Sequence, residues 1–234
     1  MVISSAHKHK SHEMINKVLF KWLEFHWERG KECRVVTMPS ISGRQENLII
    51  NHMNNFQLEE HWVEYRDRHS WTAENIKLLT FDNMADALNT NIVAPDRKVV
   101  KWEHFKCVDI FRKMLKLGLR EIPTAAWFDM TGALTDKTWS GIQDVVERQF
   151  ADGSLLFVTL AIDGPMRAFT DKNYAHRVYS SFCKKRVSRK FVTELMLTEL
   201  IENTGKYVKQ CIDSYVYKNG KSTFGVFGYI IGES

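Results

Sequence analysis

The sequence predicts an α/β protein, a Rossmann-like and mostly parallel sheet between helices with an antiparallel β-hairpin near the C-terminus. Two apolar runs, at residues 122–129 and 154–162, show no alternation of polar and apolar residues. Such runs are typical of parallel strands covered by helices on both faces. Near the end of the chain, Asn219-Gly220 lies between two β-rich flanks. This pair predicts a hairpin, because a type I′ turn needs positive φ at both central residues.

The composition fits one large globular domain. The chain has 234 residues, of which 44% are hydrophobic and 26% charged, which is enough for a sizeable core. The sequence contains no apolar run of the roughly 18 residues that a membrane span requires and no apolar block of a signal peptide, so we expect a cytoplasmic protein without a membrane segment. Four widely spaced cysteines without a Cys-x-x-Cys pair predict reduced thiols rather than disulfides or a zinc site.

The N-terminal region divides into a tail and a helix. Residues 1–12 carry three histidines among lysines, and we expect a solvated, frayed tail without a metal site, since the spacing supplies no further ligands. Apolar residues then recur at helical spacing and predict an amphipathic helix over residues 12–29 that ends at Gly30. We therefore assign residues 1–30 to a tail and helix, and residues 31–234 to the α/β domain.

The next part of the chain reads as alternating strands and helices. The first strand is predicted at residues 34–39, the second at 61–66 and the third at 97–103. Helices are predicted at residues 45–53, 71–81, 84–88 and 105–117.

The last third of the chain continues the alternation and adds the hairpin. The fourth strand is the apolar run that ends at Asp129, and the helix after it is expected to be capped by Thr135 or Asp136. The fifth strand is residues 154–162. A long helix is predicted from about residue 173 to 207, and a final strand at residues 224–231.

Asp129 and Thr131 are the first candidates for chemistry. In open α/β sheets, ligands bind just beyond the carboxyl ends of the strands, where Asp129, Thr131 and Gly132 are expected. A carboxylate there is suited to act as a general base toward a nucleophilic oxygen or nitrogen. The alternative is that Asp129 and Thr131 only cap the following helix.

The predicted topology resembles that of the class I S-adenosylmethionine-dependent methyltransferases. The stretch Trp127-Phe-Asp-Met-Thr-Gly-Ala-Leu-Thr135 also resembles a pattern in methyltransferase-like proteins of phages and bacteria. The resemblance covers most of residues 33–232. It implies S-adenosylmethionine as the cofactor and methyl transfer as the activity.

The resemblance also implies a set of cofactor-binding residues. Met38, Pro39, Ser42 and Gly43 stand where the family has its glycine-rich loop, although only one glycine is present and proline removes an amide donor. By position, Glu64 is expected to bind the ribose hydroxyls, and Trp102 and Glu103 are expected to bind the adenine. Asp129 is expected to lie near the reacting methyl group. For each of them an ordinary structural or surface role is the alternative.

A basic cluster suggests an anionic partner. It consists of Lys184, Lys185, Arg186, Arg189 and Lys190, and it predicts contact with a nucleic-acid backbone or, alternatively, a solvated helix face. Three functions stay open. One is a methyltransferase that acts on nucleic acid or another polar acceptor. The second is a non-catalytic binding protein with the same fold, which the basic cluster and the altered glycine-rich loop favour. The third is a different Rossmann-like enzyme with a nucleotide cofactor, although the absent glycine fingerprint argues against a typical dinucleotide site.

Overall fold

The computed structural model describes residues 6–29, 31–38, 44–56, 76–82, 100–106, 108–119, 122–130, 132–162 and 188–233. Within these residues the chain forms five helices and seven strands. In chain order they are α1 (Ala6–Glu28), β1 (Cys33–Thr37), α2 (Arg44–Phe56), β2 (Ile76–Asp82), β3 (Val100–Lys106), α3 (Ile110–Lys116), β4 (Thr124–Asp129), α4 (Asp136–Gln149), β5 (Ser154–Ala161), α5 (Arg189–Glu202), β6 (Lys206–Asn219) and β7 (Ser222–Glu233).

The seven strands form one sheet in the order β3-β2-β1-β4-β5-β7-β6. Strands β1 to β5 are parallel, whereas β7 is antiparallel to both β5 and β6. This topology confirms the predicted fold class. The carboxyl ends of the five parallel strands lie along one edge of the sheet, hereafter the carboxyl edge. The strand order reverses between β1 and β4, and ligands in such sheets bind at this reversal.

Helices cover both faces of the sheet, which explains the continuous apolar strands. One core lies between the sheet and α3, α4 and α5, and the other lies between the sheet and α1 and α2. The first five residues of β4 and the first seven of β5 are buried. Successive side chains of a strand point to opposite faces, so a strand can be buried along its whole length only if both faces are covered.

Helix α1 begins earlier than predicted and belongs to the second core. Because the helix starts at Ala6, the expectation of a frayed tail over residues 1–12 is wrong from that residue onward. Near the carboxyl end of β4, the His12 ring meets the Trp127 ring edge-on, with centroids 4.7 Å apart. Near the amino end of β5, Trp22 Nε1 donates to the Gly153 carbonyl at 2.8 Å. Helix α1 therefore spans the sheet, and its N-terminal half reaches the carboxyl edge.

Two strands differ from the prediction. Strand β2 occupies residues for which a helix over 71–81 was predicted, so that helix is wrong, and the strand predicted at residues 61–66 lies outside the described residues. Leu78 and Leu79 are both buried, and this burial on two faces decides for a strand where periodicity alone is ambiguous. Strand β3 covers Val100–Lys106 and so ends three positions later than the predicted residue 103.

The C-terminal hairpin is confirmed, with one difference before its first strand and one in its turn. The long helix predicted to residue 207 ends at Glu202, and Gly205 adopts a φ of 77° before β6 starts at Lys206. Asn219 pairs with Ser222, so the two turn residues are Gly220 and Lys221 rather than Asn219 and Gly220. Gly220 has a φ of 62°, a value that favours glycine.

Candidate active site at the carboxyl edge

Asp129 ends β4 at the carboxyl edge, as the sequence predicts. It is half-buried and pairs with Thr159 of β5. It does not cap the next helix, because the N-cap of α4 is Thr135, whose hydroxyl accepts from the Thr138 amide at 3.2 Å. The alternative role of Asp129 as a helix cap is therefore wrong. Thr131 lies outside the described residues, and its role stays a prediction.

Trp127 anchors the strand that carries Asp129. Its side chain is buried, and Nε1 donates to Thr159 Oγ1 at 3.0 Å. Since residues two apart on a strand share a face, Trp127 and Asp129 both belong to the side of the sheet that α1 and α2 cover. The hydrogen bond to β5 and the His12 ring above Trp127 fix the end of the strand.

Tyr217 of β6 lies on the same side. Burial, and then the negative charge of Asp129, raise the pKa of the Tyr217 hydroxyl to about 12, so this hydroxyl is protonated at neutral pH. Its ring stacks with Phe224 at a centroid distance of 5.7 Å and with Tyr215 at 6.3 Å. A carboxylate beside a row of aromatic rings is an arrangement suited to hold a flat polar molecule.

A buried acid joins the end of β1 to the start of α2. The Thr37 hydroxyl donates to Glu46 Oε1 at 2.6 Å, and the Glu46 side chain has no solvent exposure. Burial raises the pKa of the Glu46 carboxyl, while the hydrogen bond from Thr37 acts in the opposite direction. Among the described residues, Glu46 Oε2 has no hydrogen-bond partner. The carboxyl lies at a helix N-terminus, where unpaired amides and the helix dipole create a polar end.

A second polar contact joins α1 to the same turn of α2. The buried Gln45 amide donates to Asn16 Oδ1, and Gln45 Oε1 has no hydrogen-bond partner among the described residues. Burying such an atom without a partner costs on the order of 1–3 kcal/mol. The first turn of α2 therefore presents two buried acceptor atoms whose hydrogen-bonding capacity is unused within the described structure.

The acids near β2 and β3 differ from the predicted ones. Asp82 ends β2, while Glu64 lies outside the described residues. Trp102 and Glu103 pair with Leu78 and Leu79 inside β3. They lie in the middle of the strand and not at its end, because β3 continues to Lys106, beyond the predicted end at residue 103. Their role toward adenine stays a prediction.

Asp109 is the described acid that follows β3. One carboxylate oxygen accepts from the Arg112 amide at 3.2 Å and so caps α3. The other lies 2.8 Å from Lys137 Nζ, and the hydrogen bond from Lys137 lowers the pKa of Asp109. Asp82 and Asp109 were missed because the sequence reading misplaced the strands that precede them. With the strands placed correctly, the sequence does indicate both acids, because Asp82 ends β2 and Asp109 follows shortly after β3.

The remaining predicted cofactor residues follow β1 in the sequence. Met38 directly follows β1 and is partly buried against the core on the α3–α5 side. Pro39, Ser42 and Gly43 lie outside the described residues, as do Lys184, Lys185 and Arg186 of the predicted nucleic-acid cluster.

The described part of that basic cluster lies at the start of α5. Arg189 and Lys190 are its first two residues, and Lys190 Nζ lies 4.0 Å from a Glu194 carboxylate oxygen. A second basic surface, missed in the sequence, is formed by α3. Arg112, Lys113 and Lys116 line a surface groove of about 250 Å³ together with Asp109.

Comparison with known structures agrees with the fold. A DszA carbon methyltransferase has a TM-score of 0.53 and 10% identity, covering 97% of this chain and 55% of its own. An O-methyltransferase from Bacillus cereus in complex with SAH has a TM-score of 0.50 and 9% identity, covering 97% of this chain and 84% of its own. This chain thus spans about 55% of the length of the DszA structure, and it has the class I methyltransferase fold.

The sequence comparisons give no further assignment. No protein-family model matches the chain, and no curated protein matches it. In the described ranges, no helix is both long and apolar enough to cross a membrane. The same ranges contain no group of three or more histidine, cysteine or acidic side chains arranged to hold a metal ion.

Proposed function

We propose that this protein is an S-adenosylmethionine-dependent methyltransferase whose acceptor is a nucleic acid. The observation that carries the proposal is the carboxyl edge of a sheet in the order 3-2-1-4-5-7-6, with Asp129 there and not used as a helix cap. One of the similar folds is that of an O-methyltransferase in complex with SAH, which supports this cofactor class.

The described residues fit such a cofactor. The unpartnered Glu46 Oε2 lies at the N-terminus of α2, close to the strand-order reversal, where a polar amino acid moiety would find both an acceptor and helix amides. Asp82 ends the neighbouring β2, and carboxylates are acceptors suited to ribose hydroxyls. We therefore propose Asp82 for the ribose. Met38, Pro39, Ser42, Gly43 and Glu64 remain predicted contributors.

Asp129 and its neighbours define the proposed reaction site. The cofactor supplies a methyl group on a sulfonium, and transfer of such a group depends mainly on alignment. Trp127 and Thr159 hold the end of β4 by the 3.0 Å hydrogen bond, which orients Asp129. We propose that Asp129 accepts a proton from the acceptor atom. The protonated Tyr217 hydroxyl, with its pKa of about 12, is available to donate a hydrogen bond.

The nucleic-acid acceptor is supported by charge. The chain carries a formal charge of +5, and Arg189 and Lys190 begin α5, which follows the last parallel strand. Arg112 and Lys116 add exposed positive charge at the groove on α3. Lysine and arginine side chains that contact phosphates make binding strongly salt-dependent, so this feature offers a direct measurement.

Isothermal titration with S-adenosylmethionine and S-adenosylhomocysteine tests the cofactor. We expect micromolar dissociation constants for both ligands, and weaker binding in an Asp82→Asn variant. Absence of binding to a folded, ligand-free protein would contradict the proposal and favour the non-catalytic alternative. Radioactive methyl transfer to RNA and DNA pools then tests the acceptor, with Asp129→Ala as the variant expected to lose turnover while it keeps its melting temperature, because Thr135 remains as the cap.

A further inference from the structure

The Thr37–Glu46 pair has features of an incomplete ion-binding site. Glu46 is on the first turn of a 13-residue helix, and Thr37 is the last residue of β1. The Glu46 side chain has 0% exposure, and one of its oxygens is held by the Thr37 hydroxyl at 2.6 Å. The other oxygen has no hydrogen-bond partner among the described residues. A carboxyl group held at one oxygen is already oriented for a contact at the other.

Within the described part of the chain, no cation acts on the Glu46 carboxyl group. The causes that act on the Glu46 pKa are burial, the Thr37 hydroxyl and the amide of Glu46 itself. None of these is a cation. A buried carboxyl group without a cation is costly in its ionised form, and an arriving cation offsets that cost. The site therefore favours a small cationic group that donates hydrogen bonds, and an ammonium group meets both requirements.

We propose that Glu46, oriented by Thr37, binds the α-ammonium group of the amino acid moiety of S-adenosylmethionine. This inference rests on the proposed function. It assigns this contact to the first turn of α2, where a buried carboxyl oxygen is available as the acceptor that an ammonium group needs. The two features on which it stands are the Thr37 hydroxyl that orients the carboxyl group and the unpartnered, fully buried carboxyl oxygen.

The test compares two ligands that differ in the amino acid moiety. S-adenosylhomocysteine carries the ammonium group, whereas methylthioadenosine has the same nucleoside and thioether without it. Titration calorimetry of the wild type and Glu46→Gln with both ligands gives four affinities. We expect Glu46→Gln to weaken S-adenosylhomocysteine binding by at least about tenfold, the size expected for one charge-assisted hydrogen bond, and to leave methylthioadenosine binding unchanged.

Two further variants complete the design. Glu147→Gln removes the same charge from an exposed position on α4 and is expected to bind both ligands like the wild type. Thr37→Val removes the orienting hydroxyl with little change of volume, and it is expected to weaken only S-adenosylhomocysteine, by severalfold. Thermal unfolding verifies that each variant is folded. If Glu46→Gln does not fold, the affinities of Thr37→Val for the two ligands test the inference in its place.

The outcomes separate this inference from the proposed function. If the wild type binds neither ligand, the proposed function fails and the inference fails with it. If the wild type binds S-adenosylhomocysteine and the two site variants bind it equally well, the inference alone is wrong. Equal losses for both ligands would show that Glu46 acts on the fold of the site, and this too would overturn the inference. Retained affinity in Glu46→Gln alone would indicate that the side chain meets the ligand carboxylate instead.

Discussion

His26 makes the stability of this protein depend on pH between neutrality and pH 4. The side chain is 4% exposed on α1, and its ring lies 4.3 Å from that of Trp22 and 5.3 Å from that of Phe25 between centroids. Burial, followed by the charges of Lys31 and Arg29, lowers the pKa of His26 from 6.5 to about 4. The folded protein therefore holds a neutral imidazole where the unfolded chain would already be protonated.

The sign and size of the effect follow from the two pKa values. A group whose pKa is lowered on folding contributes its full stability above pH 6.5, and this is lost as the pH falls toward 4. Each pH unit in that window costs up to about 1.4 kcal/mol. Between pH 7 and pH 5 the free energy of unfolding should fall by about 2 kcal/mol at most, and salt that screens Lys31 and Arg29 reduces this value.

Urea unfolding at pH 7 and pH 5 measures the effect in the wild type and in His26→Asn. Asparagine does not titrate, so the variant is less stable at both pH values but should lose about 1–2 kcal/mol less between them. The carboxylates that also titrate are common to both proteins and cancel in the comparison. An equal loss of stability in both proteins would refute the assignment of the pH dependence to His26.

Two further substitutions test the packing around α4. Thr135→Ala removes the hydroxyl that accepts from the Thr138 amide and should lower the free energy of unfolding by about 0.5–2 kcal/mol in urea denaturation. A Cβ at residue 141 would lie 2.4 Å from the Phe111 ring, so Gly141→Ala should destabilise by about 1–3 kcal/mol. If the Phe111 contact were absent, Gly141→Ala would instead raise the free energy of unfolding by about 1 kcal/mol, because alanine favours the helix over glycine. Such a rise would contradict the prediction. Ser140→Ala, at a neighbouring exposed position, is the control for both.

The sequence allowed the centre and the C-terminal end of the sheet to be predicted, for a physical reason. Strands β4 and β5 are buried on both faces, and this leaves an apolar run too short for most helices and without alternation. The hairpin has a local signal in Asn219-Gly220, and only the register of the turn differs, by one residue. Both signals lie within a few neighbouring residues, and no distant contact is needed to read them.

Strand β2 was not predictable in the same way. The stretch from Ile76 to Asp82 is short, apolar and not flanked by a glycine or proline, so periodicity cannot distinguish it from a helical segment. Its pairing with β1 and β3 on both sides makes it a strand, and pairing is a tertiary property. That error also kept Asp82, which ends the strand, out of the acids that the sequence suggested for the ribose.

Within the candidate site, the sequence could predict only the residue whose position follows from the strand that carries it. Asp129 follows a recognisable strand, so its position at the carboxyl edge could be predicted. Glu46 and Tyr217 acquire their properties from residues on other elements, namely Thr37 on β1 and Asp129 on β4. A glutamate near a helix start and a tyrosine in a hairpin have ordinary explanations in sequence. Only the folded chain shows that one is buried beside a threonine and the other lies close to the carboxylate.

Helix α1 connects the stability of the fold to the geometry of the candidate site. One end carries His26 and the Trp22 hydrogen bond to Gly153, and the other carries the His12 ring against Trp127. Trp127 in turn donates to Thr159, next to Asp129. The contact between His12 and Trp127 therefore joins the N-terminal half of α1 to the end of β4 that carries Asp129.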